Sequence, residues 1–306
     1  MEVIYVVEKE YKEDLLAELS GVTKIENNLV WAPFKPNVCF AADIWFEPKI
    51  ETFESISQAQ RILRAAGKYW FLNPLYQVRR SKLIEQGLLK LPSLLQAFPP
   101  IKPLPAIGCF SLLDNNTLLY ATKRLKTPPL GRFEFIEDKE NPPNRAYLKL
   151  WEALSILNRM PRKNETVYDL GASPGGWSYV MQSFGTHVVS IDKALLQPRI
   201  ASLPNIVFKQ SSAFAFEPET LDKPIDWLLC DVACYPARLY TLVTRWLKAN
   251  KAKQMIITLK LQGKTDHQMI EKFKSIPNSA LFHLSYNKHE VTFFHPAPYC
   301  IEWDAI

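Results

Sequence analysis

At 306 residues, 47% hydrophobic and 22% charged, the chain has enough apolar side chain for a full core and enough length for one large or two ordinary domains. No apolar run reaches the ~20 residues that cross a bilayer, and MEVIYVVEKEYKED turns acidic after a short apolar stretch, which is not the form of a secretory signal. Net charge is a modest +6, and the five cysteines, Cys39, Cys109, Cys230, Cys234 and Cys300, are odd in number and scattered, as expected of reduced thiols in the cytoplasm, with no membrane partner.

Residues 1–127 predict a small α+β domain built on an antiparallel sheet. Strands are expected over 3–7, 29–31 and 38–46, and helices over 9–19, where Tyr11, Leu15 and Leu19 share a face, over 57–66 and over 82–98. A hairpin is expected over 107–112 and 117–122, turning at Asp114-Asn115-Asn116. Prolines 99, 100, 103, 105, 128, 129, 142 and 143 mark linkers. No acid occurs between Glu54 and Glu85, where Arg61, Arg64, Lys68, Arg79, Arg80 and Lys82 interleave with Tyr69, Trp70, Phe71 and Tyr76. None occurs between Asp114 and Glu134, where Lys123, Arg124, Lys126 and Arg132 fall. Two such windows suit a polyphosphate partner, and RNA is the expected one, with Arg79, Arg80, Lys82, Lys123, Arg124 and Lys126 as candidate contacts. The alternative is a solvated face over buried aromatics.

From Asn144 the pattern becomes α/β, predicting a doubly wound, Rossmann-like sheet over 128–306. A helix over 147–158 leads into strands over 167–170, 187–191, 205–209, 226–230 and 254–261. Helices are expected over 177–184, 239–248 and 266–274, and the sheet closes with 280–286 and 290–295.

The stretch from Val167 to Ala194 reads strand, Gly-rich turn, helix, strand, acid. Gly171-Ala172-Ser173-Pro174-Gly175-Gly176 lets a ligand approach the backbone closely at a helix start. Asp192, about twenty residues on, is placed to hold a ribose diol. No pair of glycines has the G-x-G spacing of a nicotinamide site, and Asp169 would repel a pyrophosphate but could pair with an amino group. D-x-G-x-x-P-G-G therefore suits S-adenosylmethionine better than a dinucleotide, with Asp169, Gly171, Ser173, Pro174, Gly175, Gly176, Trp177, Asp192, Ser212 and Asp231 as candidate cofactor contacts. A βαβ turn without a ligand is the alternative. Cys230 and Cys234 straddle Asp231, but no second Cys or His pair completes a zinc set, so no metal is expected.

Four polar residues stand where apolar ones are expected. Lys149 lies among Tyr147, Leu148, Leu150 and Trp151; Asp231 ends an apolar strand; Lys260 interrupts MIITLKL; Glu290 opens the last strand. Ligands of open α/β sheets bind outside the carboxyl ends of the strands, where Asp231 and Lys260 fall. Unpaired buried charges are costly, so two lysines and two acids near one another would compensate each other.

These four residues resemble, in order and context, the K-D-K-E tetrad of FtsJ-type ribose 2′-O-methyltransferases. NRAYLKL resembles that family's first-lysine helix, GASPGGW its cofactor loop, and Cys230-Asp231-Val232, Leu259-Lys260-Leu261 and His289-Glu290-Val291 its remaining motifs. Pro129-Leu130-Gly131, NRAYLKLWEA and the segment 40–46 are similar to the bacterial RlmM family, which methylates a cytidine ribose in large-subunit ribosomal RNA. The resemblance implies an S-adenosylmethionine-dependent RNA ribose 2′-O-methyltransferase in which Lys149, Asp231, Lys260 and Glu290 are catalytic. Lys260 would contact the 2′-hydroxyl, accepting its proton if neutral or stabilising an alkoxide if charged. Two departures accompany it: Ser212 stands where the family carries an acid near the adenine, and 1–127 is shorter than the family's THUMP-containing region. A nucleotide-binding oxidoreductase, a non-catalytic RNA-binding relative and the same chemistry on transfer RNA or a messenger cap are the competing readings.

Overall fold

The computed structural model describes residues 1–100, 102–157 and 159–298; Cys300 and the last residue of the expected helix over 147–158 lie outside them. The chain divides into two compact units, Met1–Ile136 and Glu137–Ile306. The boundary falls nine residues after the 127/128 division expected from the sequence. Pro129 and Gly131 are buried in the first unit, and a Cβ on Gly131 (φ +69) would sit 1.7 Å from the Ala42 carbonyl oxygen.

In chain order the first unit runs β1 (Glu2–Val6), α1 (Lys12–Glu18), β2 (Lys24–Glu26), β3 (Leu29–Pro33), β4 (Asp43–Phe46), β5 (Lys49–Thr52), α2 (Ile56–Ala66), β6 (Tyr69–Leu72), α3 (Val78–Gln86), β7 (Leu95–Gln96), β8 (Ile107–Leu112), β9 (Thr117–Ala121), β10 (Lys123–Arg124) and β11 (Glu134–Phe135). β10-β4-β1-β3-β2 form one antiparallel sheet and β5-β9-β8-β6 a second, in which β6 runs parallel to β8. The β8–β9 hairpin of the second sheet is buried on both faces. Cys109, Leu119 and Ala121 pack with Ile4, Val6, Leu29, Trp31 and Trp45 of the first sheet. Phe110, Leu112, Leu118 and Tyr120 point the other way, against Ala59 and Leu63 of α2 and Ile84 of α3. The period-two alternation of a strand thus builds two cores from one sheet.

Several expected elements are shorter than their apolar patterns. The strand over 38–46 begins only at Asp43, because the buried Glu18 carboxylate accepts from the Cys39 and Phe40 N–H groups at 2.9 and 3.0 Å. The helix over 82–98 is instead α3, four residues earlier at its start and closed at Gly87. Its last turn is capped by Gln60, whose amide donates to the Leu83 and Ile84 carbonyls. A Cβ at Gly87 would meet that amide at 2.1 Å. The helix over 9–19 opens as a 3-10 turn, Lys9–Tyr11, before α1. β2 and β5 carry no buried side chain and so leave no apolar alternation to read.

The second unit contains α4 (Tyr147–Leu157), β12 (Thr166–Leu170), α5 (Gly176–Ser183), β13 (His187–Asp192), α6 (Pro198–Ala201), β14 (Ile206–Gln210), β15 (Ile225–Cys230), α7 (Pro236–Ala249), β16 (Ala252–Lys260), α8 (His267–Lys274), β17 (Ala280–Phe282) and β18 (Glu290–His295). The sheet order is β14-β13-β12-β15-β16-β18-β17. Strands β12 to β16 are parallel, and β18 is antiparallel to both of its neighbours. This is the Rossmann-like α/β unit expected from the alternation of strands and helices. Among the described residues no helix is long and apolar enough to cross a membrane.

Two of the basic residues expected to meet RNA are structural. The Arg124 side chain is 4% exposed and donates to Asp43 Oδ2 at 2.9 Å and to the Ile107, Thr127 and Pro128 carbonyls. Lys126 is buried. Counting charge along the chain does not register that burial. Arg124→Ala should therefore cost about 3–5 kcal/mol, because Asp43 is left buried and uncompensated. Urea unfolding measures this, with the exposed Lys123→Ala as a control that leaves the midpoint unmoved.

Candidate functional site

Strand order reverses between β12 and β15, and the glycine-rich turn leaves β12 at that switch point, where open α/β sheets bind ligands. The turn is held from β13. The Gly171 N–H donates to the Ile191 carbonyl at 2.8 Å, and the Ser173 N–H to Asp192 Oδ2 at 2.9 Å. The other Asp192 oxygen accepts from the Ala194 N–H at 2.9 Å. The glycines are sterically required: Cβ atoms at Gly171 (φ +78) and Gly175 (φ +114) would each lie 2.6 Å from a side-chain methyl, of Val232 and Ile200 respectively. A half-buried carboxylate fixed beside a side-chain-free turn fits the ribose and methionine ends of S-adenosylmethionine.

Next to this turn the four polar residues close into a ring. Lys149 Nζ reaches Asp231 Oδ2 at 2.6 Å and Glu290 Oε1 at 3.0 Å. Lys260 Nζ reaches Asp231 Oδ1 at 2.5 Å and also Glu290 Oε2. Each carboxylate bridges both ammonium groups, so the charges alternate around the ring. α4 supplies Lys149, the residue after β15 supplies Asp231, and Lys260 and Glu290 are direct cross-strand partners of β16 and β18. The lysine of α4 and the acid of β18 are 9% exposed, Asp231 15% and Lys260 24%, so the ring opens on the Lys260 side. Burial lowers the Lys260 pKa, but Asp231 and Glu290 outweigh it, and the net shift is upward. Burial raises the Glu290 pKa, but the two lysines outweigh it and hold the carboxyl below its ordinary value. Lys260 and Glu290 thus each favour their charged forms.

The other sequence candidates fall in several places. Trp177 is buried and donates to the Ala146 carbonyl at 2.9 Å, tying the start of α4 to α5. Gly176 packs under Asn144, with room for no Cβ. Pro174 stands half-buried in the turn itself. Ser212 caps the short turn Ala213–Ala215, its Oγ accepting from the Phe214 N–H at 3.3 Å. In the first unit Arg79 and Lys82 are exposed on α3, whereas Arg80 is half-buried with its guanidinium over the Phe53 ring, and Lys123 pairs with Glu47.

Glu152 was not apparent from sequence. It is wholly buried, and its carboxylate accepts from the Ser285 N–H and Oγ and the Tyr286 N–H, at 2.9, 3.0 and 3.2 Å. It fixes the turn that leads to Glu290. The signal was available: Glu152 is an acid inside the same apolar helix as Lys149, one turn on. Among the described residues no group of His, Cys, Asp and Glu gathers as a metal site.

The FtsJ-like methyltransferase family matches residues 142–296, just over half of the chain. Three relatives named ribosomal RNA large subunit methyltransferase M are similar to it. The protein of Halorhodospira halophila is 40% identical over 124 residues, 40% of this chain and 36% of the relative. That of Aggregatibacter aphrophilus is 35% identical over 52% of this chain and 42% of the relative, and that of Haemophilus influenzae 31% identical over 56% and 46%. The matched part spans less than half the length of each relative.

Asp169, at the end of β12, is only 1% exposed, so it does not face the rim as a contact residue. Its Oδ2 accepts from Ser178 Oγ at 2.6 Å, and Ser178 meets Ser190 at 2.7 Å. Burial, with smaller contributions from Asp231 and Asp192 against the lowering effect of Ser178, pushes its carboxyl up to about 7. Between about pH 4 and 7 the native state holds a proton that the unfolded chain has released, so stability falls as pH rises through that window. Asp169→Asn, which imitates the protonated carboxyl, should flatten this stretch of the stability profile, worth on the order of a few kcal/mol. Chemical denaturation at pH 5 and pH 8 checks it; parallel profiles for the two proteins would refute the assignment.

Proposed function

The chain belongs to the FtsJ-like methyltransferase family, and on that premise we propose that it moves the methyl group of S-adenosylmethionine to a ribose 2′-hydroxyl of RNA, a cytidine in cytoplasmic large-subunit ribosomal RNA. The observation that carries the reading is the closed ring of Lys149, Asp231, Lys260 and Glu290 beside the glycine-rich turn. The names of the similar proteins support ribosomal RNA as the substrate. The sulfonium of the cofactor supplies an already activated methyl group. What remains for the protein is alignment and one proton.

Asp192 and the Gly171–Gly176 turn would hold the cofactor, with Ser212 and the backbone after β14 at its adenine end. Asp169 and Trp177 position that turn from inside the core. Lys260, on the open side of the ring, is the group that meets the ribose hydroxyl. Lys149, deeper, favours the anion of Glu290 and pairs with Asp231, and those acids aim both lysines. The exposed Arg79 and Lys82 of the first unit contribute phosphate contacts to RNA.

Lys260 rests as an ammonium, which cannot accept a proton. A neutral lysine beside a hydroxyl and an ammonium beside an alkoxide contain the same number of protons, one fewer than the resting pair. Either route requires that one proton be lost before the methyl moves. Because Asp231 and Glu290 raise the Lys260 pKa, that reactive form is scarce at neutral pH. The single-turnover rate should climb about tenfold per pH unit from pH 7 toward 9 for as long as chemistry limits it. A flat profile would mean that the proton leaves after methyl transfer.

Mapping ribose methylation across RNA from cells with and without the protein tests the function directly. One cytidine of large-subunit ribosomal RNA should lose its mark in the deletion. Lys260→Ala should lose it equally, with methyl transfer reduced about 10²–10⁴-fold or more and cofactor binding by calorimetry retained. Arg79→Glu with Lys82→Glu should lose it in part. An unchanged methylation map would refute the proposal.

A further inference from the structure

The loop that leaves β15 carries Asp231 into the ring and, four residues later, delivers Tyr235 to the start of α7. Tyr235 is 71% exposed, more than any other large hydrophobic side chain among the described residues. No packing accounts for it, and its hydroxyl makes no hydrogen bond among those residues. One helical turn on, the exposed Arg238 lies over the Phe214 ring, 3.9 Å from its centroid, and forms no ion pair among the described residues. That contact holds the guanidinium in place by its flat face and leaves its N–H groups free to donate. Between Tyr235 and Asp231 sits Cys234. Burial raises its thiol pKa, while the positive charges of Arg238 and Lys260 lower it. Tyr235 and Arg238 therefore follow Asp231 of the ring along one short loop and the first turn of α7.

We propose that Tyr235 and Arg238 form a subsite for a nucleotide flanking the methylated one, with the Tyr235 ring as a stacking platform for its base and the Arg238 guanidinium as a ligand for its phosphate. The inference rests on the RNA methyl-transfer reading above. A solvated aromatic on a rigid helix beside an unpaired guanidinium is the combination that single-stranded nucleic acid uses. A ribose can be presented to Lys260 only if the strand around it is splayed and held. Arg238, gripped by Phe214, is fixed before the strand arrives, so little side-chain freedom is lost when it binds.

The test uses the full chain, S-adenosylmethionine and protein-free large-subunit ribosomal RNA from cells that lack the protein. Tyr235→Ala should lower kcat/KM for RNA roughly 5–100-fold with cofactor affinity and thermal midpoint unchanged. Tyr235→Phe and Tyr235→Trp should stay near wild type, because the platform is the ring face. Arg238→Ala should weaken RNA binding and reduce the slope of log affinity against log salt by about 0.7, the value of one single-strand phosphate contact. Wild-type kcat/KM in Tyr235→Ala, or an unchanged salt slope in Arg238→Ala, overturns the subsite while leaving the reaction standing. A Tyr235→Phe protein as impaired as Tyr235→Ala overturns the stacking role. If the wild-type protein methylates no RNA, the reaction itself falls, and the subsite with it.

Discussion

The ring of Lys149, Asp231, Lys260 and Glu290 is the constraint on which the second unit depends. Its members come from α4, from the residue after β15, from the last residue of β16 and from the first of β18, four segments spread from residue 149 to residue 290. Removing two ammonium groups and two carboxylates from most of their water is costly, and only close mutual contact offsets it. Here every carboxylate touches both lysines, so no charge is left to a single partner. The cross-strand pairing of Lys260 with Glu290 fixes the register of the antiparallel β18 against the parallel part of the sheet. A one-residue slip would carry Glu290 to the other face and break two contacts at once. Chemistry and fold specification therefore rest on the same four side chains.

A second set of buried acids shapes the chain by capturing backbone. Glu18 takes the N–H groups of Cys39 and Phe40, Asp43 takes that of Lys126, and Glu152 takes those of Ser285 and Tyr286. Each capture removes donors that a strand ladder would use, and this is why sequence patterns over-extended two strands. The apolar runs 38–46 and 280–286 alternate well enough for full strands, yet only Asp43–Phe46 and Ala280–Phe282 pair. Local pattern reports which face a residue prefers. It does not report that an acid more than a hundred residues away, as Glu152 is from Ser285, will accept its N–H. The tetrad was legible for the converse reason: charge inside apolar runs is visible along one dimension.

Charge along the sequence was a poorer guide on the first unit. The acid-free window around Lys123–Arg132 is acid-free only in sequence. In space Glu47 meets Lys123, Glu8 meets Arg132 and Asp43 lies against Arg124. The distinction between Arg79 and Arg124 is one of burial, which follows from the pairing of β10 with β4 and not from composition. The interleaved aromatics divide in the same way. Trp70 belongs to the core beneath α2, and Tyr76 is exposed, its hydroxyl donating to Glu26 at 2.5 Å.

The rim of the sheet is thus electrostatically uneven. The ring sets two lysines against two acids, and Asp192 is held by two backbone N–H groups. Asp169 is different. It is buried, supported by a hydroxyl and no cation among the described residues, and raised further by Asp231 and Asp192. Its carboxyl therefore titrates near neutral pH. Positive charge brought close to the β12 turn would favour its anion and release its proton, while more negative charge would keep it protonated. The Ser178 and Ser190 hydroxyls, in contact behind it, can turn their O–H bonds to follow either state. The site therefore joins a ring of paired lysines and acids to a neighbouring buried carboxyl that has no cation partner among the described residues.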